Sequence, residues 1–198
     1  MNAFSLRSLA LMLTLFGGVC LGHPLPDVPV DTDFDGKGGC TVRVEVDPRC
    51  FEADPNTALS LTNADLAYLD AAKRDELKAK AAAYVAKVVK WSFDGAGAFK
   101  PEFAFTFTTH ANVALANADD VVVLTGMWKG KVPDGATGYA LEATPEGQLS
   151  VVIHHVAKGK PVERFQVLFP GENSYVLDLG TYLPRTKAPA LITVPAIP

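Results

Sequence analysis

Two segments near the start of the chain alternate apolar and polar residues with the period of a β-strand: VPVDTDF (28–34) and TVRVEVD (41–47). If the residues between them form a hairpin loop with Phe34 across from Cys40, then Thr32 faces Val42, Val30 faces Val44 and Val28 faces Val46. Every apolar residue then lands on one face. The same register sets Asp31 opposite Arg43 and Asp33 opposite Thr41 on the other face, an ion pair and a neutral neighbour. DGKGG supplies the Asp-Gly and further glycines that a tight turn with positive φ asks for.

The run DTDFDGKGG also carries part of a calcium-loop pattern. Asp31, Asp33, Asp35 and Gly36 stand where an EF-hand loop has its first three ligands and its glycine, but the bidentate Glu position is taken by Val42 and Glu45 comes three residues late. The flanking segments alternate with period 2 rather than showing helical periodicity, so the hairpin is the reading that accounts for both faces at once.

After a turn-rich connector, DPRCFEADPNT, the pattern changes between about residues 63 and 89. NADLAYLD predicts a short helix and DAAKRDELKAKAAAYVAKVV a longer one, with Leu77, Ala81, Tyr84, Val85 and Val88 forming its apolar stripe. Lys73, Arg74, Glu76, Lys80 and Lys87 lie on the opposite, solvated face. Strand patterns resume in KWSFDG, PEFAFTFT, DVVVLTGMW, TGYALEAT, LSVVIHHV, PVERFQVLF and SYVLDL, separated by turn residues. FKPEFAFTFT places Phe99, Phe103, Phe105 and Phe107 on one side, as the aromatic half of a core. The expected fold is mainly β: an antiparallel β-sandwich of about nine strands with a helical segment inserted at about residues 63–89.

The chain ends impose a division. Residues 1–22 carry Arg7, an apolar run from Leu9 to Phe16 and small residues before His23, the layout of a cleaved signal peptide and too short for a membrane span. A lipoprotein reading through Cys20 meets an ill-fitting Val19. The expected organisation is a signal peptide at 1–22, one sandwich domain at 23–180 and a proline-rich extended tail at 181–198. The product is thus expected to be exported, periplasmic or extracellular, with no membrane span in the mature chain. A formal charge of −4 without basic runs offers no footprint for nucleic acid.

Two cysteines remain, Cys40 and Cys50. The strand Thr41–Asp47 between them covers about 23 Å if straight, and three further residues cannot return the chain to disulfide distance. No intrachain bridge is expected, and the absence of C-x-x-C spacing argues against zinc.

The sharpest candidate chemistry is metal binding through His23. A free amino-terminal His offers its α-amine and imidazole to copper or nickel, and a further His completes the donor set. His110, in TTHAN, and His154 are the candidate partners. His155 follows His154 directly, and neighbours on a strand point to opposite faces, so one of the two at most can join. Calcium at the aspartate run is the weaker alternative. The opposing view is that His23 is a frayed terminus and the others are ordinary histidines.

Catalytic motifs are missing: there is no G-x-S-x-G, H-E-x-x-H, P-loop or G-x-G-x-x-G after a strand. Glu163 and Glu172 are the one carboxylate pair worth naming, and solvated strand and loop positions account for them as well. Trp91 and Trp128 would suit sugar or protein recognition if exposed, and core or rim packing if not.

The order of parts, with a signal directly before His-Pro, a β-hairpin, an Ala-rich helix leading into VVKWSFDG, further strands and a closing F-P-G-E-x-S (Phe169 to Ser174), resembles the extracytoplasmic domain of HupE/UreJ-type proteins. The resemblance implies an accessory role in nickel or cobalt handling at the cell envelope, with an envelope protein or a metal ion as partner. This chain departs from that pattern in lacking the transmembrane helices. The expected function is therefore a non-catalytic exported binding or accessory domain. The alternatives are a secreted enzyme whose site is not visible as a motif, and a structural or protein-interaction domain.

Overall fold

The first hairpin forms in the register that the alternation dictates. In the computed structural model, which describes residues 26–162 and 165–183, strand β1 (Val28–Phe34) pairs antiparallel with β2 (Gly39–Val46), with Val30 opposite Val44, Thr32 opposite Val42 and Phe34 opposite Cys40. Asp31 faces Arg43 on the other side, and the Arg43 Nε donates to the Asp31 carboxylate at 2.8 Å. Asp35 closes the loop by accepting from the amides of Lys37 and Gly39 at 2.6 and 2.8 Å. Gly36 and Gly38 supply the positive φ angles of 75° and 97° that the turn needs. Of the aspartate run, Asp31 is thus engaged in an ion pair and Asp35 in a loop cap, while Asp33 is exposed opposite Thr41.

A short 3-10 turn (Pro48–Phe51) leads to helices α1 (Asn63–Tyr68) and α2 (Ala71–Val88). Thr62 and Asp65 cap α1 reciprocally, and Asp70 caps α2 by accepting from the Lys73 amide. Ala81, Val85 and Val88 are buried, with Leu77 and Tyr84 packed beside them, so the apolar stripe of α2 docks as its spacing predicts.

The strands that follow are β3 (Val89–Phe93), β4 (Gly97–Phe99), β5 (Ala104–Thr108), β6 (Val123–Lys131), β7 (Gly138–Ala143), β8 (Val151–Ala157), β9 (Lys160–Pro161), β10 (Gln166–Leu168) and β11 (Leu177–Asp178). They assemble into two sheets. The larger runs β10-β8-β1-β2-β6-β5 with β9 beside β8, and the smaller runs β11-β7-β3-β4. Pairing is antiparallel except between β1 and β8, which are parallel. The fold is a mainly antiparallel β-sandwich with a helical insert, and its buried side chains form one continuous core.

Two refinements concern the strands. FKPEFAFTFT is divided: Phe99 ends β4 in the smaller sheet, whereas Phe105 and Phe107 belong to β5 in the larger one. Pro101 lies between them, and a residue without an N–H cannot continue a ladder. The four phenylalanines still converge on the core, but from two sheets. PVERFQVLF likewise does not form one long strand, and only Lys160–Pro161 and Gln166–Leu168 pair.

The core is aromatic at its centre. Tyr139 packs against Phe34, Phe93 and His155 at ring separations of 5.3, 5.0 and 5.6 Å, and its hydroxyl shares a 3.0 Å hydrogen bond with the Thr32 hydroxyl. Gly126 lets the Phe105 ring cross β6, because a Cβ there would lie 2.7 Å from that ring. No helix among the described residues is long and apolar enough to cross a membrane. The expected signal segment at 1–22, His23, Glu163 and residues 184–198 of the expected tail at 181–198 lie outside the described residues.

Candidate functional site

Helix α2 ends at Val88 and β3 begins at Val89, so helix and strand meet without a linker. Ala82, Val85, Ala86 and Val89 recur at i, i+3, i+4 and i+7, which puts them on one side of the last helical turns. Trp91 continues from β3, paired with Leu141 on one side and Phe99 on the other. The segment that leaves β4, from Phe99 through Pro101 to Phe103, supplies the remaining wall. Between these three walls is a cavity of about 520 Å³.

Its lining is apolar at depth and charged at the edge. Trp91 stacks obliquely on Phe103 at 5.5 Å, and Val85 and Val89 complete the floor. Lys90, Lys100 and Glu102 are exposed members of the lining. Lys90 is held by Glu142 at 2.9 Å, while Lys100 forms no ion pair among the described residues. Small Ala82 and Ala86 leave the space open on the helix side. Trp91 is only 4% exposed, and its Nε1–H, sealed from solvent, has no hydrogen-bond acceptor among the described residues. An indole nitrogen is a donor only, and leaving one unpaired in a protein interior costs about 1–3 kcal/mol.

Two other hollows are more open to solvent. One lies between the 3-10 turn at Pro48 and α2, and the other lies between Lys158–Val162 and Tyr175–Tyr182. The first is bordered by the buried Asp47–Arg49 ion pair, whose 2.7 Å contact satisfies both groups internally.

The histidines are dispersed. His154 projects from the outer face of the larger sheet, 3.5 Å from Asp31, while its neighbour His155 points into the core, as alternation on a strand requires. His110 is bound through Nδ1 to the buried carboxylate of Glu45 at 2.6 Å, and that hydrogen bond raises its pKa above the ordinary histidine value despite partial burial. His110 and His154 thus each have their own carboxylate. Among the described residues no three His, Cys, Asp or Glu side chains come together in a way that could hold a metal ion. His23, on which the metal reading depends, lies outside the described residues.

Cys40 and Cys50 are buried free thiols, as the strand between them requires. Burial, reinforced by nearby aspartates, pushes each up to about 12, which keeps them protonated and unreactive. Glu172 caps the turn before it by accepting from the Phe169 amide at 2.8 Å, and its proposed counterpart Glu163 lies outside the described residues.

Neither tryptophan is an exposed recognition platform. Trp91 is buried, and Trp128 turns toward the core side, where it meets Phe99 edge-on at 4.7 Å. What sequence reasoning missed was the cavity beside Trp91. The only available signal was an Ala-rich helical face running directly into a tryptophan-bearing strand, and such a face reads as ordinary packing. Comparison with known protein families and with curated proteins finds no match for this chain.

Proposed function

We propose that this chain is an exported, non-catalytic binding domain that takes a small, largely apolar ligand in the cavity between α2, β3 and the 99–103 segment. The observation that carries the proposal is about 520 Å³ of space walled by Val85, Val89, Trp91, Phe99 and Phe103, with charged side chains confined to its edge. Ligand sites are commonly apolar clefts of about 300–1,000 Å³ with a few placed polar groups. The reading as a binding module rather than an enzyme is supported by the lining itself: no Ser, Thr, Cys, His or Asp side chain borders the cavity, and its charged side chains, Lys90, Lys100 and Glu102, stand exposed at the edge, with Lys90 already paired to Glu142.

The test is titration with 1-anilinonaphthalene-8-sulfonate, comparing the wild type with Ala86→Phe. Position 86 is exposed on the helix yet borders the cavity, so a larger side chain there fills the space without entering the core. Saturable binding to the wild type that weakens at least tenfold in the variant is expected. Equal binding by both proteins, or none by the wild type, would overturn the proposal.

A further inference from the structure

We infer that β10 is a dimerisation edge, on which a second copy of this chain adds its own β10 antiparallel and continues the larger sheet across a twofold axis. Among the described residues β10 (Gln166–Leu168) ends that sheet, paired with β8 on one side only. Its outer face is apolar and uncovered: Phe165 is 70% exposed, Val167 43% and Phe169 63%. Val167 lies in register with Val152, and Val152 with Pro29, both half-buried, so the apolar strip runs inward over three strands. The alternate positions are already engaged, since Leu168 enters the core and Gln166 accepts from the Tyr175 amide at 2.9 Å.

The sequence of the strip says what covers it. In FQVLF (165–169) the outward positions Phe165, Val167 and Phe169 read the same from either end. Antiparallel pairing about Val167 therefore sets Phe165 of one copy beside Phe169 of the other and Val167 beside its own counterpart, apolar against apolar at every outward position. No charge lies within these five residues, so the like-charge repulsion that bars self-pairing is absent. The exposed β9, which borders the same side of β8, carries a lysine and a proline of the kind that blunts a sheet edge, and β10 carries neither. At the far end of the sheet, β5 is packed by α2. The two exposed rings offer on the order of 250 Å² per copy, well under the roughly 800 Å² that a standard interface buries on each side, so the dimer is a weak one with a dissociation constant on the order of 10–100 µM.

Sedimentation velocity of residues 23–198, the expected mature chain, across about 5–500 µM tests the pairing. A reversible monomer–dimer equilibrium is expected, and Val167→Lys, at an exposed position, should raise its dissociation constant about tenfold or more while far-UV circular dichroism shows the fold retained. Val167→Cys gives a second readout. Residues opposite each other on antiparallel strands have α-carbons about 4.5–5.5 Å apart, within disulfide reach, so mild oxidation should link this variant into dimers far faster than Val176→Cys, which is comparably exposed but off the strand. The native cysteines, both buried, do not compete. A wild type that stays monomeric throughout, a dimer that Val167→Lys leaves intact, or equal linking of the two cysteine variants overturns the proposal.

Discussion

His155 is a histidine with no exposed surface and, among the described residues, no hydrogen-bond partner at either ring nitrogen. It lies edge-on to Tyr139 and Tyr175, at ring separations of 5.6 and 6.1 Å. Burial in this setting, with His154 beside it and Asp31 only partly opposing, lowers its pKa to about 4 from the ordinary 6.5. The folded state therefore binds the proton more weakly than the unfolded chain. Stability is complete above about pH 6.5 and is lost as pH falls toward 4, to a limit of about 3 kcal/mol at 1.36 kcal/mol per unit. At pH 4.5 the loss from this one residue should be about 2.5 kcal/mol.

His155→Leu isolates the effect from the carboxylates that titrate nearby in pH. The assay is urea denaturation of both proteins at pH 7.5, 5.5 and 4.5, with the slope against denaturant checked for constancy. The variant should match or exceed wild-type stability at pH 7.5, because it removes two unsatisfied nitrogens, and its advantage should widen by about 2.5 kcal/mol at pH 4.5. Parallel pH dependence of the two proteins would show that His155 is not a neutral, dry core residue.

Other consequences follow from the same packing. Cys40 and Cys50 should resist iodoacetamide in the native protein and alkylate once unfolded, read by peptide mass spectrometry; rapid native labelling would contradict their burial. Gly126→Val should destabilise by about 1–3 kcal/mol, because the added side chain meets Phe105 and Val44, and thermal unfolding would report it. For His110 the sign is opposite to that of His155. Its bond to Glu45 raises the folded pKa, so the pair stabilises fully below about pH 6.5 and fades as pH rises through the raised value. Proton NMR titration should show that Glu45→Gln moves the His110 midpoint down, and an unchanged midpoint would refute the pairing.

The elements differ in how far the sequence disclosed them, and the reasons are physical. The first hairpin was legible because one register satisfies two independent constraints, the valine face and the Asp31–Arg43 pair. The stripe of α2 was legible from spacing alone, and so was the opposite facing of His154 and His155. The parallel pairing of β1 with β8 was not, because it joins segments more than a hundred residues apart and leaves no local signature. The split between β4 and β5 was signalled by Pro101, but the alternating phenylalanines pointed to a single strand. The cavity was the least visible feature. It arises where small Ala82 and Ala86 fail to fill the angle between a helix and a strand, and emptiness depends on tertiary placement rather than on any one residue's type. Trp91 is buried because it shares the core-facing side of β3 with Val89 and Phe93, while Lys90 between them is exposed.

The most direct test of the ligand-binding account is the indole N–H resonance of Trp91, a residue of the cavity lining, in a nitrogen-15 correlation spectrum, assigned with Trp91→Phe and followed during titration with 1-anilinonaphthalene-8-sulfonate. The account predicts a saturable shift of that resonance, with the same dissociation constant as the fluorescence titration, as the ligand packs against the indole ring. A Trp91 resonance that stays fixed while the probe saturates the protein would place the ligand elsewhere and contradict the account.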